Sequence, residues 1–329
     1  MGLKILVTGG AGYIGAAAGR VLLDLGHEVT ALDNLCRGYR AAVPKGARFV
    51  SGDVGDRELI DQIFREAKFD AVMHFAALAE VGESMRAPER YFRNNTAATL
   101  NLLETCVRFK VPRFVFSSTA AVFGQPQSPL IDESAPKNPI NPYGESKLQT
   151  ERMLEWFQKV HGLRYAVLRY FNAAGAWKDQ GEHHDPESHL IPLVLQVALG
   201  KRESVSIYGT DYPTPDGTCV RDYIHIYDLA VAHLLAMEAL ESREAMAYNL
   251  GNAKGFSVRE VIEVARRVTG HRIPATETPR RPGDPPVLVA SSENIRRELG
   301  WTPKFGSLES IVQSAWEWHR AHPNGYSGD

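Results

Sequence analysis

The stretch KILVTGGAGYIG at residues 4–15 constrains the fold more than any other part of the chain. A short apolar run, rich in residues that favour strands, ends in glycines spaced as Gly9, Gly12 and Gly15. An amphipathic pattern of helical period follows at 16–25. Glycine lets the backbone turn tightly and approach an anion closely, at the point where a helix begins and its first N–H groups lack partners. The spacing GxxGxxG between a strand and a helix is one form of the turn that cradles a dinucleotide pyrophosphate.

The rest of the first half repeats the same alternation. Strands are expected at 4–8, 29–33, 48–51, 71–75, 113–117 and 165–170, and helices at 16–25, 57–66, 97–109 and 143–161. Strands that are apolar throughout and alternate with helices predict a parallel sheet covered on both faces, an α/β fold of the doubly wound, Rossmann-like kind. Beyond about Ala173 the pattern loosens. An irregular stretch at 174–185 precedes a helix at 190–200, a strand at 204–208, a turn-rich loop at 209–217, and helices at 228–240, 258–269 and 292–299. Residues 1–173 are therefore expected to form a cofactor-binding domain, with 222–245 packing back on it. Residues 174–329 are expected to form a smaller α/β substrate-binding domain. A chain of 329 residues, 44% hydrophobic, has enough apolar surface for both.

Composition narrows the function. A net charge of −2 with no long Lys/Arg run argues against nucleic acid or an anionic membrane as partner. No window is long enough and apolar enough for a membrane span. The opening residues run straight into the glycine loop and do not read as a signal peptide, and Leu6 fills the slot that an N-terminal lipidation motif needs for Ser or Thr. Cys36, Cys106 and Cys219 are odd in number and far apart, so they are expected to be reduced thiols of a cytoplasmic protein.

An acid belongs at the end of the second strand of such a fold, and Asp33 stands there. It would bond both ribose hydroxyls and repel a 2′-phosphate, which favours NAD over NADP even with Arg37 nearby. Asp53 and Val54, after the third strand, suit the adenine edge, although Asp53 reads equally well as an ordinary loop carboxylate.

The motif YGESK at 143–147 places Tyr143 and Lys147 four residues apart, on one helix face. Pro142 fits the first helical position, so Tyr143 lies at the positive end of the helix dipole. Lys147 one turn on, together with a bound nicotinamide cation, would favour the phenolate. A tyrosine tuned in this way can take a hydroxyl proton while hydride leaves the same carbon. Thr119, closing the FSST run at 116–119, supplies a second hydroxyl.

Taken together, TGGAGYIG, DNL at 33–35, HFAAL, FSSTAAVFG, YGESK, LRYFNAAGA, DGTCVRDYIH and RRPGD resemble the extended short-chain dehydrogenase/reductase family, in its UDP-sugar 4-epimerase branch. The resemblance runs from Leu3 to the closing HPNGY at 322–326. It implies a tightly held NAD that is not consumed, and interconversion of UDP-galactose and UDP-glucose through a 4-keto sugar. Tyr143 would be the base, with Lys147 and Thr119 beside it. The resemblance adds Asn34, Tyr13, Ile14, Phe75, Ala76, Ala77, Asn94 and Phe171 to the cofactor contacts. For the substrate it implies Asn172, His189, Leu190, Ser206, Ile207, Tyr208, Arg221, Arg281 and Asp284, with uracil near Ile207 and Tyr208 and the diphosphate held by the two arginines. It also implies a homodimer built on the helices at 97–109 and 143–161.

Several positions depart from the family's usual pattern. Thr119 replaces a frequent serine and keeps the hydroxyl. Ala79 stands where a lysine often reaches the cofactor. His189 replaces an asparagine and keeps a donor. Leu288 replaces a larger tyrosine, which leaves room for N-acetylated sugars. Dehydratases and decarboxylases on this scaffold place acids after the catalytic threonine; here Ala120 and Ala121 follow, and alanine transfers no proton. UDP-pentoses and UDP-glucuronate remain alternative substrates. An inactive NAD-sensing regulator is a further alternative, although it would not need Tyr143 and Lys147 together. His183, His184 and His189 cluster in sequence, but no Cys or carboxylate framework at ligand spacing accompanies them, and no metal site is expected.

Overall fold

The computed structural model describes residues 2–126, 128–281 and 284–326. Pro282 and Gly283 of the RRPGD motif and the last three residues of the expected second domain lie outside the described residues.

Seven parallel strands form the main sheet. Their order is Ala245–Leu250, Arg164–Tyr170, Arg113–Thr119, Ala71–His74, Lys4–Thr8, Glu28–Asp33 and Arg48–Ser51. The chain runs outward from Lys4–Thr8 to Arg48–Ser51, then crosses back to place Ala71–His74 on the other side of the first strand. In an open α/β sheet that reversal leaves a crevice at the carboxyl ends of the strands. Thr8 lies opposite both Leu32 and His74, and Thr119 lies opposite Tyr170, so the strand ends that carry polar groups share one edge.

Both faces of the sheet are buried. On one face the helices Tyr13–Asp24 and Ile226–Ala239 pack on Ile5, Val7, Met73, Val115 and Leu168. On the other, Arg57–Glu66, Ala98–Arg108 and Pro142–His161 pack on Leu6, Leu32, Val72, Phe114 and Phe116. A third core joins Leu190–Ala198, Val258–Thr269, Leu308–Ala321 and the strand Val205–Tyr208, which pairs with Ala275–Thr278. No helix among the described residues is long and apolar enough to cross a membrane.

Local sequence explains the ends of the helix that carries the YGESK motif. The Asn141 side chain accepts from Gly144 N at 2.8 Å, Pro142 holds the first position, and Gly162 closes the helix at φ 70°. The first helix starts at Tyr13, three residues before the expected 16, because Gly12 is already the extended cap. The helix expected at 97–109 begins as far back as Pro88 and contains a π-helical turn, Phe92–Ala97, whose polar residues conceal the period. The strand Ala245–Leu250 and the helix Leu308–Ala321 have no counterpart among the expected elements.

A buried ion pair links the sheet to that capped helix. Arg169 donates to the Glu151 carboxylate through Nε and Nη2, each at 2.8 Å, and Ser118 Oγ donates to the same carboxylate at 2.7 Å. Both charged side chains are almost fully buried, and Lys137 approaches to 3.3 Å. Burial favours the neutral acid, but the bonds from Arg169, the charge of Lys137 and the bond from Ser118 outweigh it and hold the Glu151 carboxyl below its ordinary value. Removing one partner of such a pair costs roughly 3–5 kcal/mol, because the other charge stays buried. Glu151→Ala is expected to lose about that much in urea unfolding, and Glu151→Leu combined with Arg169→Met to recover most of it. Because the folded carboxyl titrates below the unfolded one, the pair's contribution is complete above about pH 5 and is lost as pH falls through the folded pKa.

Candidate active site

The sheet's crevice opens into a cleft of about 1310 Å³. That exceeds the roughly 300–1,000 Å³ of an ordinary small-molecule pocket and gives room for two ligands end to end. Its floor is the glycine loop. Gly9 has φ 72°, and a Cβ on Gly15 would lie 2.1 Å from the Gly9 carbonyl oxygen. Only glycine fits the two positions, and the fit leaves the N-terminus of the Tyr13–Asp24 helix open towards the cleft. A dinucleotide's pyrophosphate suits such a cradle.

Every residue that the sequence assigns to the cofactor lines this one cleft, from Gly9, Gly12, Tyr13, Ile14 and Gly15 at the loop to Asn94 and Phe171 beyond it. Asp33 accepts from Ala11 N at 3.0 Å and from Leu35 N at 2.8 Å, and burial raises its pKa against those bonds. Asn34 donates to Asp53 at 2.6 Å, which fixes the carboxylate beside Val54. Arg37 lines the same cleft but is engaged there, by Glu83 at 3.4 Å and by the Asp185 carbonyl at 3.3 Å. Phe75, Ala76 and Ala77 leave the fourth strand, and Ala79 follows them with a bare methyl. Asn95 secures this segment: it accepts from Leu78 N, donates to Leu78 O and reaches Ser146 Oγ, all within 3.0 Å. The π-helical turn carries both Asn94 and Asn95.

Tyr143, Lys147 and Thr119 meet in the middle of the cleft, with Ser117 and Tyr170 beside them. Lys147 Nζ donates to Ser117 O at 2.9 Å and lies 4.8 Å above the Phe116 ring. Thr119 Oγ1 accepts from Ala121 N at 3.1 Å, which leaves its single proton for the Tyr143 oxygen. The expectation that Lys147 makes Tyr143 acidic is not met by the chain alone. Burial raises the tyrosine, opposed by a hydrogen bond from Thr119. Burial also pushes Lys147 down to about 7, although Glu151 opposes the shift. Both groups are desolvated by the same apolar walls, and each favours its neutral form.

A second pocket of about 230 Å³ continues from the cleft. It brings together Asn172, His189, Leu190, Ser206, Tyr208, Arg221, Arg281 and Asp284, all residues expected to hold substrate. Arg281 lies 3.8 Å above the Tyr208 ring. Arg221 bonds Asp284 at 3.2 Å and the Pro285 carbonyl at 2.9 Å. Asn172 donates to the Asp222 carbonyl at 2.8 Å. Ile207 differs from the expectation: strand alternation turns it into the third core, and its side chain does not line the pocket.

The loop at 181–189 holds groups that the sequence pattern does not assign. Glu182 and His184 line the cleft, and Glu182 also faces the second pocket. His189 Nδ1 lies 2.9 Å from Glu187 and 3.1 Å from Glu182. Burial disfavours charge on that imidazole, but Glu182 and then Glu187 override it and raise the pKa to about 9. The carboxylate framework expected to be missing from the histidine cluster is therefore present, supplied by glutamates that flank the histidines. His183 leaves the group and stacks on Tyr39 at 4.3 Å.

Comparison with known proteins follows the same outline. The model of the family described as "NAD dependent epimerase/dehydratase family" matches residues 5–251. A UDP-glucose 4-epimerase of Halalkalibacterium halodurans is 54% identical over 328 residues, which cover 99% of this chain and 98% of that protein. Among solved structures, a UDP-glucose 4-epimerase superposes with a TM-score of 0.97 at 49% identity, covering 99% of this chain and 100% of the other. The UDP-glucose 4-epimerase of Brucella ovis in complex with NAD superposes with a TM-score of 0.93 at 43% identity, covering 96% of this chain and 98% of the other. Agreement over the glycine loop, the tyrosine helix and the second lobe leaves one conclusion: the chain belongs to the NAD dependent epimerase/dehydratase family.

Proposed function

We propose that the chain is an NAD-dependent UDP-glucose 4-epimerase, an isomerase that interconverts UDP-galactose and UDP-glucose. The observation that carries this reading is the convergence of Tyr143, Thr119 and Lys147 on a cleft that runs from a dinucleotide cradle into an arginine-bearing pocket.

Bound NAD would supply the oxidised nicotinamide that serves as acceptor and then donor of the hydride at the sugar's C4. The chain does the rest. Tyr143 Oη removes the proton of the 4-hydroxyl and later restores it. Thr119 Oγ1 gives its one proton to Tyr143 before substrate binds, which favours the phenolate, and to the 4-oxygen of the bound sugar afterwards. Lys147, held by Ser117 O, orients the cofactor's ribose and stabilises the phenolate once a second positive charge is present. The diphosphate is anchored by Arg221, Arg281 and His189, the last through Nε2, which leaves the 4-keto sugar free to turn. Ser206, Tyr208, Leu190 and Asp284 enclose the uridine, and Asn172 borders the sugar. Asp33 holds the adenosine ribose.

We place the NAD-binding part in residues 1–173 together with 222–245, and substrate binding in most of 174–329. The return of Ala245–Leu250 to the main sheet and of Ile226–Ala239 to its face supports this division. A cytoplasmic setting is supported by three free cysteines, two of them buried. A homodimer is supported by exposed Trp156 and Val160, one turn apart on the Pro142–His161 helix, with Leu100 exposed on its neighbour. Light scattering is expected to give twice the chain mass, and Trp156→Glu to shift it towards the monomer.

The deciding assay incubates the purified protein with UDP-galactose and no added NAD. UDP-glucose is expected to appear up to an equilibrium mixture. Tyr143→Phe is expected to retain its NAD, measured after denaturation, while kcat falls by roughly 10²–10⁴-fold. Loss of NAD along with activity would remove Tyr143 from the role of base. Leu288 lines the cleft with a small side chain, so UDP-N-acetylglucosamine is expected to turn over as well. A rate below one thousandth of that for UDP-glucose, on the order of 4 kcal/mol of discrimination, would exclude it.

Lys147 allows a test of stability against pH. Its folded pKa of about 7 lies below its unfolded value of 10.5, so the folded state binds fewer protons between those values and stability from this group rises with pH. Lys147→Met is expected to abolish turnover in the NAD-loaded enzyme and, in NAD-free protein, to raise the stability to unfolding. The gain should be several kcal/mol at pH 6 and about 2 kcal/mol at pH 9. A gain that does not depend on pH would show that the lysine carries no buried charge.

A further inference from the structure

The loop at 181–189 gathers two carboxylates and two imidazoles at one point. The Glu182, His184, Glu187 and His189 ligand atoms all lie within 4.8 Å of one another. His184 Nδ1 is 3.5 Å from Glu182 Oε1 and 3.6 Å from Glu187 Oε2, and His189 Nδ1 is 3.1 Å from Glu182 Oε1. Four ligands on a tetrahedral zinc ion, each bonded at about 2.0–2.1 Å, would stand roughly 3.3 Å apart. Three edges of the cluster bracket that length.

The internal hydrogen bonding of the cluster is incomplete. His184 Nδ1 is buried and has no hydrogen-bond partner. The Glu182 and Glu187 side chains are only 5% and 6% exposed, an environment that carboxylates rarely occupy unless they are paired or coordinate a metal. Each imidazole faces two carboxylates but carries a single proton at Nδ1. A divalent cation at the centre would satisfy all four groups, and two carboxylates with two neutral imidazoles balance its charge.

The supporting bonds are those a ligand set needs. Glu187 Oε1 accepts from Ser188 N and His189 N, both at 2.8 Å, which fixes the carboxylate and leaves Oε2 towards His184. Gly181 N donates to Tyr326 Oη at 2.9 Å, which anchors the start of the loop. His184 meets the Tyr13 ring edge-on at 6.3 Å, so the cluster abuts the glycine loop.

We propose that Glu182, His184, Glu187 and His189 bind one divalent metal ion of the zinc class, through Nδ1 of both histidines. The donor set of two nitrogens and two oxygens suits Zn²⁺ above Mg²⁺ or Ca²⁺. The ion is structural. It pins the loop that lines both the cofactor cleft and the second pocket, and it leaves Nε2–H of His189 as the donor towards substrate.

The test uses the full chain, treated with a chelator and dialysed, and then titrated with Zn²⁺ alone. Uptake of one equivalent per chain is expected by elemental analysis, with a rise in Tm. Co²⁺ in its place is expected to give the intense visible bands of four-coordinate cobalt. Glu182→Gln combined with His184→Asn is expected to weaken Zn²⁺ binding by about 100-fold or more. No stoichiometric uptake by the unmutated chain would overturn the proposal, and so would a weak six-coordinate cobalt spectrum. Equal binding by the double variant would do the same, since the ion would then reside on other histidines.

Discussion

One buried carboxylate keeps the reacting side chains in register. Glu151 sits one turn beyond Lys147 on the capped helix and takes bonds from Ser118 and Arg169, which lie directly opposite each other on adjacent strands. Successive side chains of a strand point to opposite faces. Clamping Ser118 and Arg169 to the helix therefore fixes Thr119 and Tyr170, the next pair in the ladder, away from that clamp. Tyr170 Oη then meets Ser117 Oγ, and Lys147 bonds the Ser117 carbonyl. A charge with no role in proton transfer thus sets where three hydroxyls and an ammonium lie. An apolar replacement could match its stability but not its directionality, since the carboxylate bonds two strands at once.

The parts of this arrangement that depend on neighbours in sequence are legible in the sequence itself. The glycine spacing, Asp33 at a strand end and the tyrosine and lysine one helical turn apart each follow from short-range geometry. Six of the seven main strands stand out as apolar runs. The seventh, Ala245–Leu250, does not, because AMAYNL contains no β-branched residue and its place at the sheet edge depends on pairing with Arg164–Tyr170, far away in sequence. The π-helical turn is hidden for a related reason: its polar residues face Leu78 and Ser146, so their amphipathic pattern makes sense only once those partners are known. Ile207 shows a limit of the opposite kind. Family likeness places it at the uracil, whereas strand alternation between Ser206 and Tyr208 sends it to the core.

The histidine loop shows how composition can mislead at close range. Three histidines within seven residues stand out, and the glutamates between and before them read as solvated charges. Folding reverses both impressions. His183 leaves to stack on Tyr39, while Glu182 and Glu187 turn inward. Spacing alone does not reveal this, because a loop without helical or strand period gives no rule for which side chains share a face. The decisive information is the anchoring at Gly181 by Tyr326, a contact across 145 residues.

The cleft restrains its own chemistry by what it leaves out. Ala120 and Ala121 follow Thr119 along the wall, so beside that hydroxyl stand methyl groups where an eliminating enzyme would need an acid and a base. On the proposed roles of Tyr143 and Thr119, proton transfer would be confined to the one sugar oxygen beside them. Burial reinforces the confinement. In the chain alone it raises the tyrosine and lowers the lysine, so neither carries a full charge at neutral pH. A cation arriving beside the phenol shifts the balance towards phenolate, because in a desolvated site an added charge acts with little screening. If Tyr143 is the base, as proposed, its strength would follow the oxidised state of the cofactor. As the proposed base, the tyrosine would be strongest as an acceptor with the oxidised cofactor bound and a better donor once that positive charge is gone.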